Sequence, residues 1–336
     1  MAEAEPLLLR VDQAGPRYNE ALQTAVAACA ADTAGQTCYI CLEGAADEGL
    51  VRGCSCRGGN GFVHVSCLVR AAQVAVERGG GPGWRRWDTC GLCEQEYYGD
   101  VLCALGWACW KTYVGRPETD EIRELAMMQL GNGLHATGND EDARSVREAE
   151  LSMIRRLGAP EDDLLVAQTN LACTYQELGR LEEALNAFRD VYSRRLELNG
   201  EEHVETLRAA NNYANSLNKL QHFEEAKLLL CKTMPVVRRV LGESNELTLK
   251  MRWLSAEALY RDPSATLDDL REAVTTLEEI ERTARRVLGG AHPLTAATEA
   301  RLQLARAVLR ARERAAPGDV SSVCEGVAAM MTPGDA

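Results

Sequence analysis

Between residues 121 and 315, apolar residues recur at three- and four-residue spacing, broken at intervals by Gly or a short polar turn. That is the pattern of amphipathic helices joined by tight connections, and it repeats. "NLACTYQELGRLEEAL" (170–185) aligns with "NYANSLNKLQHFEEAK" (212–227), 42 residues on. "QLGNGLHATGNDEDAR" (129–144) lies 41 residues before the first, and "LSAEAL" (254–259) lies 42 after the second, its second half delayed by "RDPSA". The unit ends repeat as well: "RRLGAPED", "LELNGEEH", "RVLGESNE" and "RVLGGAHP". Small residues stand at matching places, Gly131, Ala172, Ala214 and Ala256 in the first half of each unit and Ala143, Ala184 and Ala226 in the second, where helices approach closely. One helical pair cannot bury its apolar stripe alone, so the pattern predicts an α-solenoid of about four stacked helix–turn–helix units.

Ahead of the repeats the pattern changes. Residues 1–35 are Ala-rich, with one helix expected around "YNEALQTAVAACA". Residues 36–98 hold no sustained period and are crowded with Gly and Cys. The apolar run "VLCALGWACW", bounded by Asp100 and Lys111, is too short to cross a bilayer. It predicts a connecting helix within 99–120, packed on the segment before it or behind it. Residues 316–336, with "PGD" twice, are expected to be a loosely ordered tail.

The crowded cysteines carry the chemistry. They run Cys38-x2-Cys41, Cys54-x-Cys56, His64-x2-Cys67 and Cys90-x2-Cys93. Eight ligands in four close pairs satisfy two tetrahedral Zn2+ ions, four to each, with thiolates matching zinc's softness. All four positions around each ion are filled by protein, so the expected ions are structural and no water is left to activate. Gly53, Gly58, Gly59 and Gly91 beside the ligands allow the tight turns such pairs need. The other six cysteines, Cys29, Cys103, Cys109, Cys173, Cys231 and Cys324, have no metal-like spacing and read as small buried apolar residues.

The stretches "CYIC", "CSCRGGNGFVHVSCL" and "CGLC" resemble the RING-CH zinc finger over residues 38–93: histidine is the fifth ligand, one residue separates the second pair, and seven separate Cys56 from His64. PHD fingers share the ligand order but have a wider second pair and a shorter gap before the histidine. The resemblance implies a cross-brace, with Cys38, Cys41, His64 and Cys67 on one zinc and Cys54, Cys56, Cys90 and Cys93 on the other. It also implies ubiquitin ligase activity, in which the finger docks a ubiquitin-conjugating enzyme and positions its thioester without a covalent catalytic residue of its own. Ile40 fills the family's aliphatic docking position. The family's Trp four residues after the sixth ligand is here Ala71, and Glu94 and Glu96 follow the last pair, where active relatives carry a basic residue. Trp84 and Trp87 are the aromatics available to fill that groove.

The repeats resemble tetratricopeptide repeats of the longer kind found in kinesin light chains, "RVLGGAHPLT" most closely. This resemblance implies a concave groove lined by the first helix of each pair, and the register places Asn132, Arg208, Asn211, Asn215, Asn218 and Lys250 on or near it. His135, His203, His222 and His292 fall in or beside turns and are expected to have no ligand role.

Charge narrows the partners. The formal net charge is −13 at pH 7, which disfavours nucleic acid and anionic membranes. The N-terminus lacks the basic start and long apolar core of a secretory signal, so the protein is expected to be soluble, in the cytoplasm or nucleus, with its thiols reduced. No phosphate loop, dinucleotide fingerprint or nucleophile elbow occurs. The leading expectation is a ubiquitin ligase holding a conjugating enzyme on the finger and a substrate protein or peptide on the repeats. The alternatives are a non-catalytic scaffold with a structural finger and, more weakly, a PHD-like histone-tail reader.

Overall fold

The computed structural model describes residues 6–45, 48–79, 81–289 and 292–314. The expected tail and Cys324 lie outside them. The described residues are mainly helical, with isolated antiparallel bridges between Val51 and Val63 and between Thr89 and Glu96. In chain order the helices are α1 (Val11–Thr33), α2 (Val65–Glu77), α3 (Gly81–Trp84), α4 (Gly99–Tyr113), α5 (Glu121–His135), α6 (Asp140–Leu157) and α7 (Glu161–Glu177). Next come α8 (Leu181–Asn199), α9 (Val204–Lys219), α10 (Phe223–Leu241), α11 (Glu246–Tyr260), α12 (Leu267–Val287) and α13 (Pro293–Arg314). The architecture is a small cysteine-rich finger followed by helix–turn–helix repeats. The chain divides into two compact units between Gly179 and Arg180.

In the first unit α4 is buried on two faces, which is why its apolar residues run on without a polar stripe. Val101, Ala104 and Leu105 join Leu50, Val51, Phe62, Val63 and Leu68 of the finger, with Ala25 of α1 completing that core. Trp107, Ala108, Trp110 and Tyr113 face a second core with Ala126, Met127 and Leu130 of α5 and Val146 and Ile154 of α6. The expected connecting helix therefore packs on both neighbours. Each repeat helix has identifiable ends. Asp120 caps α5 by accepting from Ile122 N, and Gly158, at φ 71°, ends α6 in the left-handed conformation. Inside this layer Arg147 of α6 is buried; its guanidinium donates to Asn132 of α5 and to the Asn170 carbonyl and Thr174 hydroxyl of α7.

In the second unit the small positions are filled as the register predicts. Ala184, Ala214, Ala226 and Ala256 are buried, letting helix backbones approach through a methyl group. Leu207, Ala210, Leu230, Val237 and Met251 build one core; Leu249, Leu270, Leu277, Ile280, Leu294 and Leu302 build the next. The "RDPSA" insertion is an ordered turn. Asp262 accepts from Lys227 at 2.6 Å and from Ser264 N at 2.8 Å, and Thr266 then opens α12 with a reciprocal capping box to Asp269.

Candidate metal centre

The finger is built from two knuckles with the same hydrogen bonds. In the first, Cys38 N donates to Glu43 O at 2.8 Å, Leu42 N to Cys38 O at 2.8 Å, and Ile40 N to Cys38 Sγ at 3.4 Å. In the last, Cys90 N donates to Gln95 O at 2.9 Å, Glu94 N to Cys90 O at 3.0 Å, and Leu92 N to Cys90 Sγ at 3.4 Å. Both turn through a positive φ one residue after the second cysteine, 66° at Leu42 and 56° at Glu94. Neither is Gly, so the strain is held by the surrounding turn. The two middle pairs reach these knuckles from elsewhere: Cys54 and Cys56 from the loop after Val51, His64 and Cys67 from the start of α2.

Two groups of four result. The ligand atoms of Cys38, Cys41, His64 and Cys67 all lie within 4.8 Å of one another, as do those of Cys54, Cys56, Cys90 and Cys93. The Cys56–Cys90 sulfur separation is 3.8 Å, close to the edge of a tetrahedron with metal–sulfur bonds of about 2.3 Å. His64 Nδ1 lies 3.3 Å from Cys41 Sγ, while Nε2 lies 3.0 Å from the Gly44 carbonyl. A carbonyl can only accept, so Nε2 carries the proton and Nδ1 offers its lone pair inward.

The thiols differ in acidity. Burial pushes Cys38 up, but N–H groups of Cys41, His64 and Ile40 outweigh it and bring it down to about 7. For Cys90 burial is likewise outweighed, by the N–H groups of Cys93 and Leu92, and it falls to about 7. Burial and neighbouring thiols hold Cys56 up at about 11 and Cys67 at about 12. Each group thus contains a thiol brought below its ordinary range, and a bound cation would favour the thiolate at its sulfur ligands.

One glycine beside the ligands was not singled out by the sequence. At Gly61, with φ at 87°, a Cβ would sit 2.5 Å from Cys56 Cβ, so only Gly lets the backbone pass under the second pair. Ile40 is 40% exposed, Leu42 76% and Leu92 51%. Leu92 stands in the last knuckle where Ile40 stands in the first, a correspondence the two Cys-x2-Cys spacings already contained. Trp87 is fully buried, and Trp84 packs on it and on Tyr113. Both indoles pack in the core that joins α2, α4 and α5. Arg86 lies on the last knuckle, its guanidinium against Gly91, where a Cβ would have to displace it.

The residues expected in the groove have varied surroundings. Asn132 is half-buried and accepts from Arg147 at 3.1 Å. Asn218 is 1% exposed and donates to the Leu254 carbonyl at 2.9 Å, so it ties α9 to α11. Arg208 is exposed and pairs with Glu205 at 3.4 Å. Asn211 and Asn215 are half-buried on α9, the first donating to Asn212 at 3.3 Å. Lys250 pairs with Glu246 at 2.7 Å. The hydrogen bond and charge of Lys250, with Arg208 adding less, hold the Glu246 carboxyl below its ordinary range despite partial burial. The turn histidines are occupied: His135 with Asp140, His222 with Glu225, and His203 and His292 accepting from backbone N–H groups.

Comparison with known proteins agrees with this division. Residues 38–93 match the family model of the RING-variant domain, and residues 123–197 match that of the tetratricopeptide repeat. Among solved structures, a putative kinesin light chain of nearly identical TPR-like repeats from Podosopora anserina is similar at 19% identity and a TM-score of 0.46, over 66% of this chain and 97% of that one. BtubC (BKLC) from P. vanneervenii is similar at 16% identity and a TM-score of 0.41, over 76% of this chain and 92% of that one. No curated protein matches the chain. The chain thus carries a RING-variant domain and tetratricopeptide repeats, with two four-ligand groups that fit zinc. No described helix is long and apolar enough to cross a membrane.

Proposed function

We propose that this protein is a ubiquitin ligase whose finger holds two structural Zn2+ ions and whose repeats hold the protein to be modified. One observation carries the reading: ligand pairs one and three converge on one site and pairs two and four on the other. That crossing braces two congruent knuckles and leaves aliphatic side chains exposed on both, Ile40 and Leu42 on the first and Leu92 on the last. A conjugating enzyme docks on these side chains. The cation that Glu94 and Glu96 fail to provide is supplied by Arg86, which lies on the last knuckle and has no ion pair among the described residues; it braces the ubiquitin carried by that enzyme. The zinc ions shape the surface and take no part in bond making. Tethering finger and repeats in one chain raises the effective concentration of substrate lysines near the thioester. Arg208, Asn211, Asn215 and Lys250 offer cations and amides for an extended peptide on the second unit.

The non-catalytic scaffold is favoured by one feature, Ala71, which is exposed and offers the docking face only a methyl group. The test is ubiquitin discharge from a panel of charged conjugating enzymes by the zinc-loaded chain. Stimulated discharge, reduced about tenfold or more in Ile40→Ala and weakened in Arg86→Ala, is the expected result. No stimulation by any enzyme, with two zinc ions bound per chain, would leave the scaffold.

A further inference from the structure

The finger and the first repeat share one interior. Trp87, three residues ahead of Cys90, lies in a single apolar cluster with Trp107, Trp110 and Tyr113 of α4 and Ala126, Met127 and Leu130 of α5. Gln129 of α5 is 2% exposed and donates to the Trp87 carbonyl at 3.2 Å. Behind this contact α4 and α5 meet backbone to backbone. A Cβ at Gly133 would lie 2.9 Å from Cys103 Cα, and one at Gly106 would lie 3.0 Å from the Gln129 carbonyl. At these two points no side chain separates the helices, so α4 and α5 are held in fixed register there.

A short hairpin on its C-terminal side positions Trp87. Tyr97 N donates to Asp88 O at 2.7 Å, Cys90 N to Gln95 O at 2.9 Å, and Thr89 bridges to Glu96. This hairpin carries Cys90 and Cys93 and has no sheet to support it. A two-stranded ribbon of this size is not stable alone in water; Tyr97 seats its base in the finger's core, and a metal on Cys90 and Cys93 would fix its tip. From Trp87 the path runs through Gln129 and α5 to Asn132, then through Arg147 to Asn170 and Thr174 of α7.

We propose that the metal held by Cys54, Cys56, Cys90 and Cys93 controls the first repeat. While that ion is bound, Trp87 stays packed in the core beside α4 with its carbonyl holding Gln129, and α5 keeps its place; when the ion is lost, that support is released and α5 is withdrawn as a binding surface. Binding to the first repeat is thereby conditional on the metal state of the finger. This rests on the reading that the two groups hold zinc.

The test is hydrogen exchange on the full-length chain, after metal analysis has shown two zinc ions bound. Removing the metal with a chelator should make the α5 amides exchange at least about tenfold faster, while those of α9 and α11 stay unchanged as an internal reference. Loss of protection in residues 87–98 with α5 unaffected would overturn the proposal. Trp87→Leu keeps every ligand and removes only the indole packing. With two zinc ions still bound, its α5 amides should exchange nearly as fast as those of the chelated wild type; α5 protection equal to loaded wild type would also overturn the proposal. A wild-type chain that takes up no zinc fails at the metal analysis, which identifies the zinc reading itself as the error.

Discussion

The finger and the repeats of the second unit reach an ordered fold by opposite means. The finger has few apolar core residues of its own, two isolated bridges and turns that need Gly61 or strained φ at Leu42 and Glu94. Eight ligand atoms define its shape. The second unit has no comparable centre among the described residues; Leu207, Leu230, Leu249, Leu277 and Ile280 are each almost fully buried, and each contributes a similar small share. In the finger a single atom can decide the fold. In the repeats a single atom adjusts it, which suits a surface that varies to fit a partner while the scaffold persists.

The largest expected effect comes from that contrast. Removing the metal, or replacing Cys54 by Ser, takes away a term on the order of 10 kcal/mol per structural zinc at neutral pH. The finger then loses its calorimetric transition, and helices α8–α13 keep theirs. A second unit that melted together with the finger would break the comparison. The converse change comes next in size. Leu277→Ala empties a fully buried site on α12 and should destabilise the second unit by about 2–5 kcal/mol in urea unfolding. Zinc content should stay at two per chain.

The legible parts of the sequence were those set by local chemistry. Ligand spacing gave the four close pairs because Cys-x2-Cys and Cys-x-Cys turns converge within a few residues of chain; their division into two crossed groups came from the resemblance to the RING-CH finger. The 42-residue period gave the helix pairs because Ala184, Ala214 and Ala226 recur wherever backbones must approach. What stayed hidden depends on tertiary neighbours. Nothing near Trp87 signals that it belongs to the core of α4 and α5, and nothing near Gly91 signals that Arg86 covers it. Asn218 reads as a groove residue by register, yet it is buried and bonds the Leu254 carbonyl. The buried pair Arg147 and Glu150 was also invisible, since charged residues on amphipathic helices normally face solvent.

That pair sharpens the comparison, because it is a place where a repeat layer depends on a charge. Burial pushes the Glu150 carboxyl up from 4.5 to about 8, with Arg147 opposing and Glu124 adding to the rise. The folded state therefore holds this proton more tightly than the unfolded state does. Its contribution is fully present below the ordinary carboxylate pKa and is lost as pH rises through about 8. Gln mimics the neutral carboxyl. Glu150→Gln should match the wild type near pH 5 and become more stable than it toward pH 9, by an amount on the order of 1–3 kcal/mol. Taking the difference between the two proteins at each pH cancels the acid sensitivity of the metal ligands. A constant difference across that range would show that Glu150 is ionised throughout.

The smallest effect compares how helices begin in the two regions. Helix α2 of the finger starts at His64, which makes no side-chain cap; its ring points into the first ligand group instead. Helix α12 starts at Thr266, whose hydroxyl accepts from Asp269 N at 3.2 Å while Asp269 accepts from Thr266 N at 2.8 Å. A capping box of this kind contributes about 1 kcal/mol, so Thr266→Ala should lower the second unit's melting temperature by about 2–4 °C. His64→Ala changes the residue at the same position of its helix but removes a ligand, and it should abolish binding of one zinc altogether. Equal, small shifts from the two substitutions would mean that His64 serves the finger only as a helix start, and that the first group holds no metal.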